Sequence, residues 1–218
     1  MNTESLIALI AGIIAICTCM FLPNGLIAYQ KKTDKDTLDR KFVRRLTLVF
    51  SCCTGCCVAF LMLNNTLLDG ILLSLIATLC GVIAIVDTRV RIIPNVCSYP
   101  MLLIEIIYLI RHTNAEGFLI HIGTGISFAV MILLAIRIAG HGEVIGTGDL
   151  KLLTIIGFLF GTSMSAIIMP VTMIVLMLID ILPGIITKKR SFKDMLPMAP
   201  FLVPGIFLGL CYMVGVTA

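Results

Sequence analysis

Long apolar runs separated by short polar segments dominate the chain. They predict helices near residues 5–28, 46–64, 70–86, 93–110, 117–138, 150–162, 166–187 and 198–216. Most of these runs approach the ~20 apolar residues needed to cross a bilayer. The sixth is short, and a hairpin through Gly161-Thr162-Ser163 would merge it with the seventh, so seven or eight spans are expected. The run from Leu6 to about Leu22 follows four residues without a basic charge and lacks an A-x-A site, so it reads as a first span rather than a cleavable signal. No internal repeat and no soluble domain of useful size stands out, and residues 1–218 are expected to form one integral-membrane domain.

Composition agrees. Of the 218 residues, 59% are hydrophobic and 13% charged, and mean hydropathy is +1.12. A soluble domain has about 45–50% apolar and about 25% charged residues. That surplus excludes a soluble enzyme and a disordered chain, and the expected fold class is an all-α membrane bundle.

The net charge of +4 matters less than where the charges lie. Lys31–Arg45 holds seven of the 16 Lys and Arg. The others recur at alternate connections: Arg89 and Arg91, then Arg137 and Lys151, then Lys188, Lys189, Arg190 and Lys193. The intervening loops hold Arg111 alone. This alternation predicts that the basic loops face the cytoplasm and both termini lie outside. The basic segment, with Phe42 as its single aromatic, does not read as a nucleic-acid patch with interleaved aromatics, so a nucleic-acid partner is not expected; the partner is the lipid bilayer. The nine cysteines lie in or beside apolar runs and read as small packing residues. Cys53 and Cys56 have CxxC spacing but no second pair or His cluster to complete a metal site, so no metal is expected.

Polar residues at membrane depth are costly and call for an explanation. Two segments stand out. Val86-Asp87-Thr88-Arg89-Val90-Arg91-Ile92-Ile93-Pro94-Asn95 ends the third span and opens the fourth. Pro94 falls where a helix's first turn accepts it, because the N–H groups there have no intrahelical partner. Gly140-His141-Gly142-Glu143-Val144-Ile145-Gly146-Thr147-Gly148-Asp149-Leu150-Lys151 brings Gly-rich backbone to a helix N-terminus. The alternation places Asp87 and Asp149 at the same membrane face. Two converging carboxylates cannot both ionise cheaply and so share a proton, which suits acid/base hydrolysis of a peptide. Gly146 and Gly148 permit positive φ and close approach of an extended substrate. Each aspartate alone also reads as a helix cap or an interfacial ion pair. The glycine spacing fits neither a dinucleotide fingerprint nor a phosphate loop.

Taken together, Asp87-x-Arg89, Ile93-Pro94-Asn95, Gly146-Thr147-Gly148-Asp149-Leu150-Lys151 and Pro197-Met198-Ala199-Pro200-Phe201-Leu202 resemble the type IV prepilin leader peptidases, intramembrane aspartyl proteases of the GxGD type. The resemblance spans about Ile71 to Phe201. It implies removal of a short basic leader from prepilin-like subunits, after a glycine, at the cytoplasmic face of the cell membrane. Pilins and pseudopilins of secretion or competence systems, and archaellins, all fit that substrate class. Asp87 and Asp149 match the family's catalytic pair, and Gly146 and Gly148 its motif glycines. Arg89, Pro94, Asn95, Lys151 and Pro200 occupy supporting motif positions, with no catalytic role assigned to Lys151. Met198-Ala199 stands where the family's tail has Phe-Gly. Larger relatives carry two cytoplasmic CxxC pairs and methylate the new N-terminus with S-adenosylmethionine. The segment Ala28–Leu46 here has no cysteine, so peptidase activity without methyl transfer or cofactor is expected.

Glu105, His121 and Asp180 also lie inside apolar runs. His121 reads as a hydrogen-bonded packing residue. Glu105 and Asp180 suit an ion pathway, which makes a small transporter or channel component the rival reading. Duplicated halves and broken midplane helices, which such proteins tend to show, are not visible. An assembly subunit with an inactive dyad is a third reading.

Overall fold

The structure is a computed structural model that describes residues 3–29, 40–138, 147–161, 167–168, 170–172, 174–176 and 198–217. Seven described helices follow in order: α1 (Thr3–Tyr29), α2 (Arg40–Leu63), α3 (Leu67–Val90), α4 (Asn95–His112), α5 (Ala115–Ile138), α6 (Thr147–Phe160) and α7 (Ala199–Thr217). The fold is an all-α bundle, with no strand among the described residues. Three helices are long and apolar enough by themselves to cross a membrane, over Thr3–Ala28, Val43–Leu63 and Leu67–Val90. Residues 30–39, Gly146, most of the expected span 166–187 with Asp180, and the basic segment Lys188–Lys193 lie outside the described residues.

Helix α2 begins at Arg40, six residues before the expected 46, because nothing in Arg40–Arg45 breaks a helix. Arg and Lys are good helix formers. Helix α3 also starts early, where Thr66 caps it and accepts from the Asp69 N–H.

Helix α3 is the axis of the bundle. It packs on α1, α2, α4 and α7, while α6 bridges α4, α5 and α7. In the most apolar stretch of α3, 78% of residues are buried, against 22% in α1. The exposed residues of α1 are large and apolar, Ile13, Ile14 and Phe21 among them. That surface suits lipid rather than water. Several hydroxyls inside the bundle are satisfied within their own helices: Thr54, Thr78 and Thr88 donate to the carbonyls of Phe50, Ser74 and Ala84.

At the end of α3 far from Asp87, buried Asp69 receives Arg111 Nε at 3.3 Å and lies 3.0 Å from His112 Nε2. Arg111 is the one basic residue in the loops predicted to face outward, and it sits against a carboxylate. Cys19, Cys57, Cys80 and Cys97 are buried packing residues, whereas Cys53 and Cys56 are exposed on α2.

Glu105 of α4 is fully buried, and neither carboxyl oxygen has a hydrogen-bond partner among the described residues. A buried, unpartnered polar group lowers stability. Glu105→Met is therefore expected to raise the melting temperature in detergent by a few degrees, about 2–4 °C per kcal/mol for a chain of this size. A fall in melting temperature would show that Glu105 has a partner.

Candidate active site

Asp87 lies in the last turn of α3. Arg91 then takes the left-handed conformation (φ 54°, ψ 44°), and its N–H closes the helix onto the Asp87 carbonyl at 2.8 Å. A residue with a Cβ pays roughly 1–2 kcal/mol for that conformation, and here it turns the chain sharply into Ile92-Ile93-Pro94. Pro94 stands one residue before α4, and its carbonyl accepts from the N–H groups of Cys97 and Ser98. This local economy starts α4 directly beside the end of α3.

Helix α6 delivers Asp149 in its first turn. It reaches the α3–α4 turn because Gly148 has no side chain: a Cβ there would lie 3.1 Å from Ile93 Cβ. Beside this contact, Lys151 Nζ donates to Asn95 Oδ1 at 3.3 Å and links α6 to α4.

The result is a cavity of about 300 Å³. Asp87, Arg91, Ile92 and Ile93 line it from the α3–α4 turn, Asn95 from α4, and Gly148, Asp149 and Lys151 from α6. The two carboxylates, 62 positions apart in sequence, are close enough for their charges to interact. Asp87 is only 4% exposed. Its Oδ2 accepts the Ala199 N–H at 3.0 Å, so the first turn of α7 also meets the site. Met198 caps that helix, its carbonyl accepting from the N–H groups of Phe201 and Leu202. Pro200, inside the first turn, forfeits no helical hydrogen bond by lacking an N–H.

The sequence-derived residues thus divide. Asp87, Asn95, Gly148, Asp149 and Lys151 share the cavity, and Pro94 and Pro200 shape the helix starts beside it. Arg89 does not line it: its Nη1 donates to Asn24 Oδ1 and so ties α3 to α1. Gly146 lies outside the described residues.

Two features escaped the sequence reading. One is the strained Arg91, which no local pattern announces. The other is the Ala199 amide. The Pro197–Leu202 motif marked the place, and because the donor is backbone, the change from Phe-Gly to Met198-Ala199 leaves it available. For metals, the cavity offers the two carboxylates and the Asn95 amide; no group of three or more His, Cys, Asp or Glu is assembled for one among the described residues.

Chemically, the cavity holds two carboxyl groups beside two cationic side chains, in a space large enough for a segment of extended peptide and a water. The family model described as "Type IV leader peptidase family" matches residues 73–188, a little over half of the chain, including every residue that lines this cavity. No curated protein and no solved structure matches the chain.

Proposed function

The chain belongs to the type IV leader peptidase family, and we propose that it is an aspartic endopeptidase in which Asp87 and Asp149 together hydrolyse one peptide bond of prepilin-like substrates. The observation that carries this reading is the cavity shared by these two residues from α3 and α6.

The chemistry follows from their proximity. With one proton between them, the ionised carboxylate takes a proton from water while the protonated partner donates to the substrate carbonyl. Water oxygen bonds to the carbonyl carbon, the C–N bond breaks, and the leaving amine receives a proton. Both titrations belong to the pair. The Ala199 N–H supports this by fixing one oxygen of Asp87, which leaves Oδ1 to orient water. Burial of Asp87 supports it further, since a dry site strengthens each electrostatic contact.

The direct test is processing. Membranes holding the protein, given a prepilin-like peptide with a basic leader, should yield a single cut after glycine, and none when the protein is absent. A labelled methyl donor should leave the new N-terminus unlabelled, because the cytoplasmic loop lacks the CxxC pairs of methylating relatives. Absence of cleavage across several such peptides would overturn the peptidase reading.

The site is proposed to open toward the cytoplasm. Arg91 and Lys151 line it, and both belong to the basic connections that the alternation assigns to the cytoplasm, where positive charge is retained. In a cysteine-free variant, a probe thiol at Asn65 or Asn114 should react with a membrane-impermeant maleimide added outside, and one at Lys35 should not. The reverse pattern would invert the orientation.

A further inference from the structure

Helix α6 carries Asp149, yet it is too short to be held by the bilayer. Its 14 residues extend about 21 Å, against a hydrocarbon core of about 30 Å. It begins at the cavity and is too short to reach the far side of such a core, and carbonyls at a helix end set in lipid need partners from neighbouring elements.

Helix α5 supplies those partners. Carbonyls only accept, so His121 Nδ1 carries the hydrogen that reaches the Phe158 carbonyl at 2.7 Å. Thr124 Oγ1, which donates at 2.8 Å to the His121 carbonyl of its own helix, lies 3.1 Å from the Gly157 carbonyl, and that carbonyl accepts the Gly161 N–H at 3.1 Å. Gly161 has φ +56°, and a Cβ there would fall 2.6 to 2.9 Å from atoms of the His121 ring. The imidazole therefore lies flat on a glycine that ends the helix in the left-handed conformation. His121, Thr124, Gly125 and Phe128 form one face of α5, and all four meet α6. Among the described helices, α5 packs chiefly on α6.

We propose that His121 is a positioning residue for the peptidase site: by capping the membrane-buried end of α6 it sets the height of that helix, and with it the place of Asp149 at the other end. This rests on the peptidase reading above. Phe158 and Asp149 are nine residues apart, about 14 Å along a rigid helix. A slip of one residue moves the carboxyl by about 1.5 Å, and a misplacement near 1 Å costs on the order of 10²-fold in rate.

The test compares His121→Leu, which lacks the donor, with His121→Asn, whose amide nitrogen falls near the place of Nδ1. Full-length variants in membranes are assayed for peptide cleavage. His121→Leu should lower kcat on the order of 10²-fold while KM changes by less than about threefold. His121→Asn should recover most of the loss. If His121→Leu does not accumulate, His121→Phe replaces it as the variant without a donor.

A second readout needs no activity. In a cysteine-free background, Ile93→Cys with Gly148→Cys places two thiols where the Cβ atoms are 3.1 Å apart, near the ~3.5–4.5 Å of a disulfide. Copper phenanthroline should cross-link this pair efficiently, poorly when His121→Leu is added, and well again with His121→Asn. Unchanged kcat in the leucine variant, unchanged cross-linking, or an asparagine variant no better than leucine would overturn the proposal. If the unaltered protein cleaves nothing, the peptidase reading fails, and the cross-linking series still decides whether His121 sets the height of α6.

Discussion

Replacing either Asp87 or Asp149 with asparagine is expected to abolish cleavage, with a loss on the order of 10³-fold or more in each case. Asparagine keeps the side-chain shape and removes only the titrating group, so the protein should still insert and accumulate. One carboxyl group cannot both activate water and protonate the carbonyl oxygen. The double variant should therefore be about as inactive as either single one, as befits residues that act as a unit. Glutamate at either position should fail almost as badly. One methylene shifts the carboxyl by about an ångström, which costs on the order of 10²-fold, and Asp87 in particular is fixed by the Ala199 amide. The measurement is processing of a prepilin-like substrate in membranes, with protein levels read by immunoblot. Near-normal cleavage by either asparagine variant at normal abundance would remove the dyad from the mechanism. Multiplicative losses in the double variant would separate the two residues into independent roles.

A second large effect is expected at Gly148, where the effect is steric. A Cβ there would meet Ile93 Cβ at 3.1 Å, several tenths of an ångström inside ordinary contact. Ile93 is buried and cannot swing away freely, so α6 must yield and carry Asp149 away from Asp87. Gly148→Ala should reduce kcat about tenfold, and Gly148→Val, with two more methyl groups, on the order of 10²-fold. The informative variant is the combination of Gly148→Ala with Ile93→Ala, which reopens the space. It should recover activity relative to Gly148→Ala alone, a coupling of the kind a double-mutant cycle measures between residues in contact. Simple addition of the two losses would mean that Gly148 serves something other than this close approach.

Much of the fold was legible because the bilayer forces it. A span must be a helix, since only a helix or a closed barrel satisfies the backbone within lipid. Seven of the eight expected runs accordingly coincide with described helices, most within three residues at each end; the boundaries that moved farthest, at Arg40 and near Val90, lie where charged residues continue a helix without a breaking signal. The candidate site was legible for a related reason. Charged groups in apolar surroundings are expensive, so Asp87 and Asp149 stood out, and the alternation of basic loops put them at one end. His121 was likewise read as a hydrogen-bonded packing residue, which its bond to the Phe158 carbonyl matches.

The sequence by itself thus determined the elements, their order and the pair of carboxylates, since each follows from local hydropathy or from the cost of a charge. Tertiary structure alone decided that the Ala199 amide reaches Asp87 across 112 positions, that Arg89 turns to Asn24 while Arg91 enters the cavity, and that α5 ends α6. These depend on which face of each helix meets which neighbour. In a soluble protein the apolar stripe announces that face. Here lipid and core ask for the same side chains, so helices such as α1 are apolar all round and their pattern carries no direction. Only the packed bundle, through close approaches such as Gly148 on Ile93 and the few hydrogen bonds available at depth, selects one arrangement.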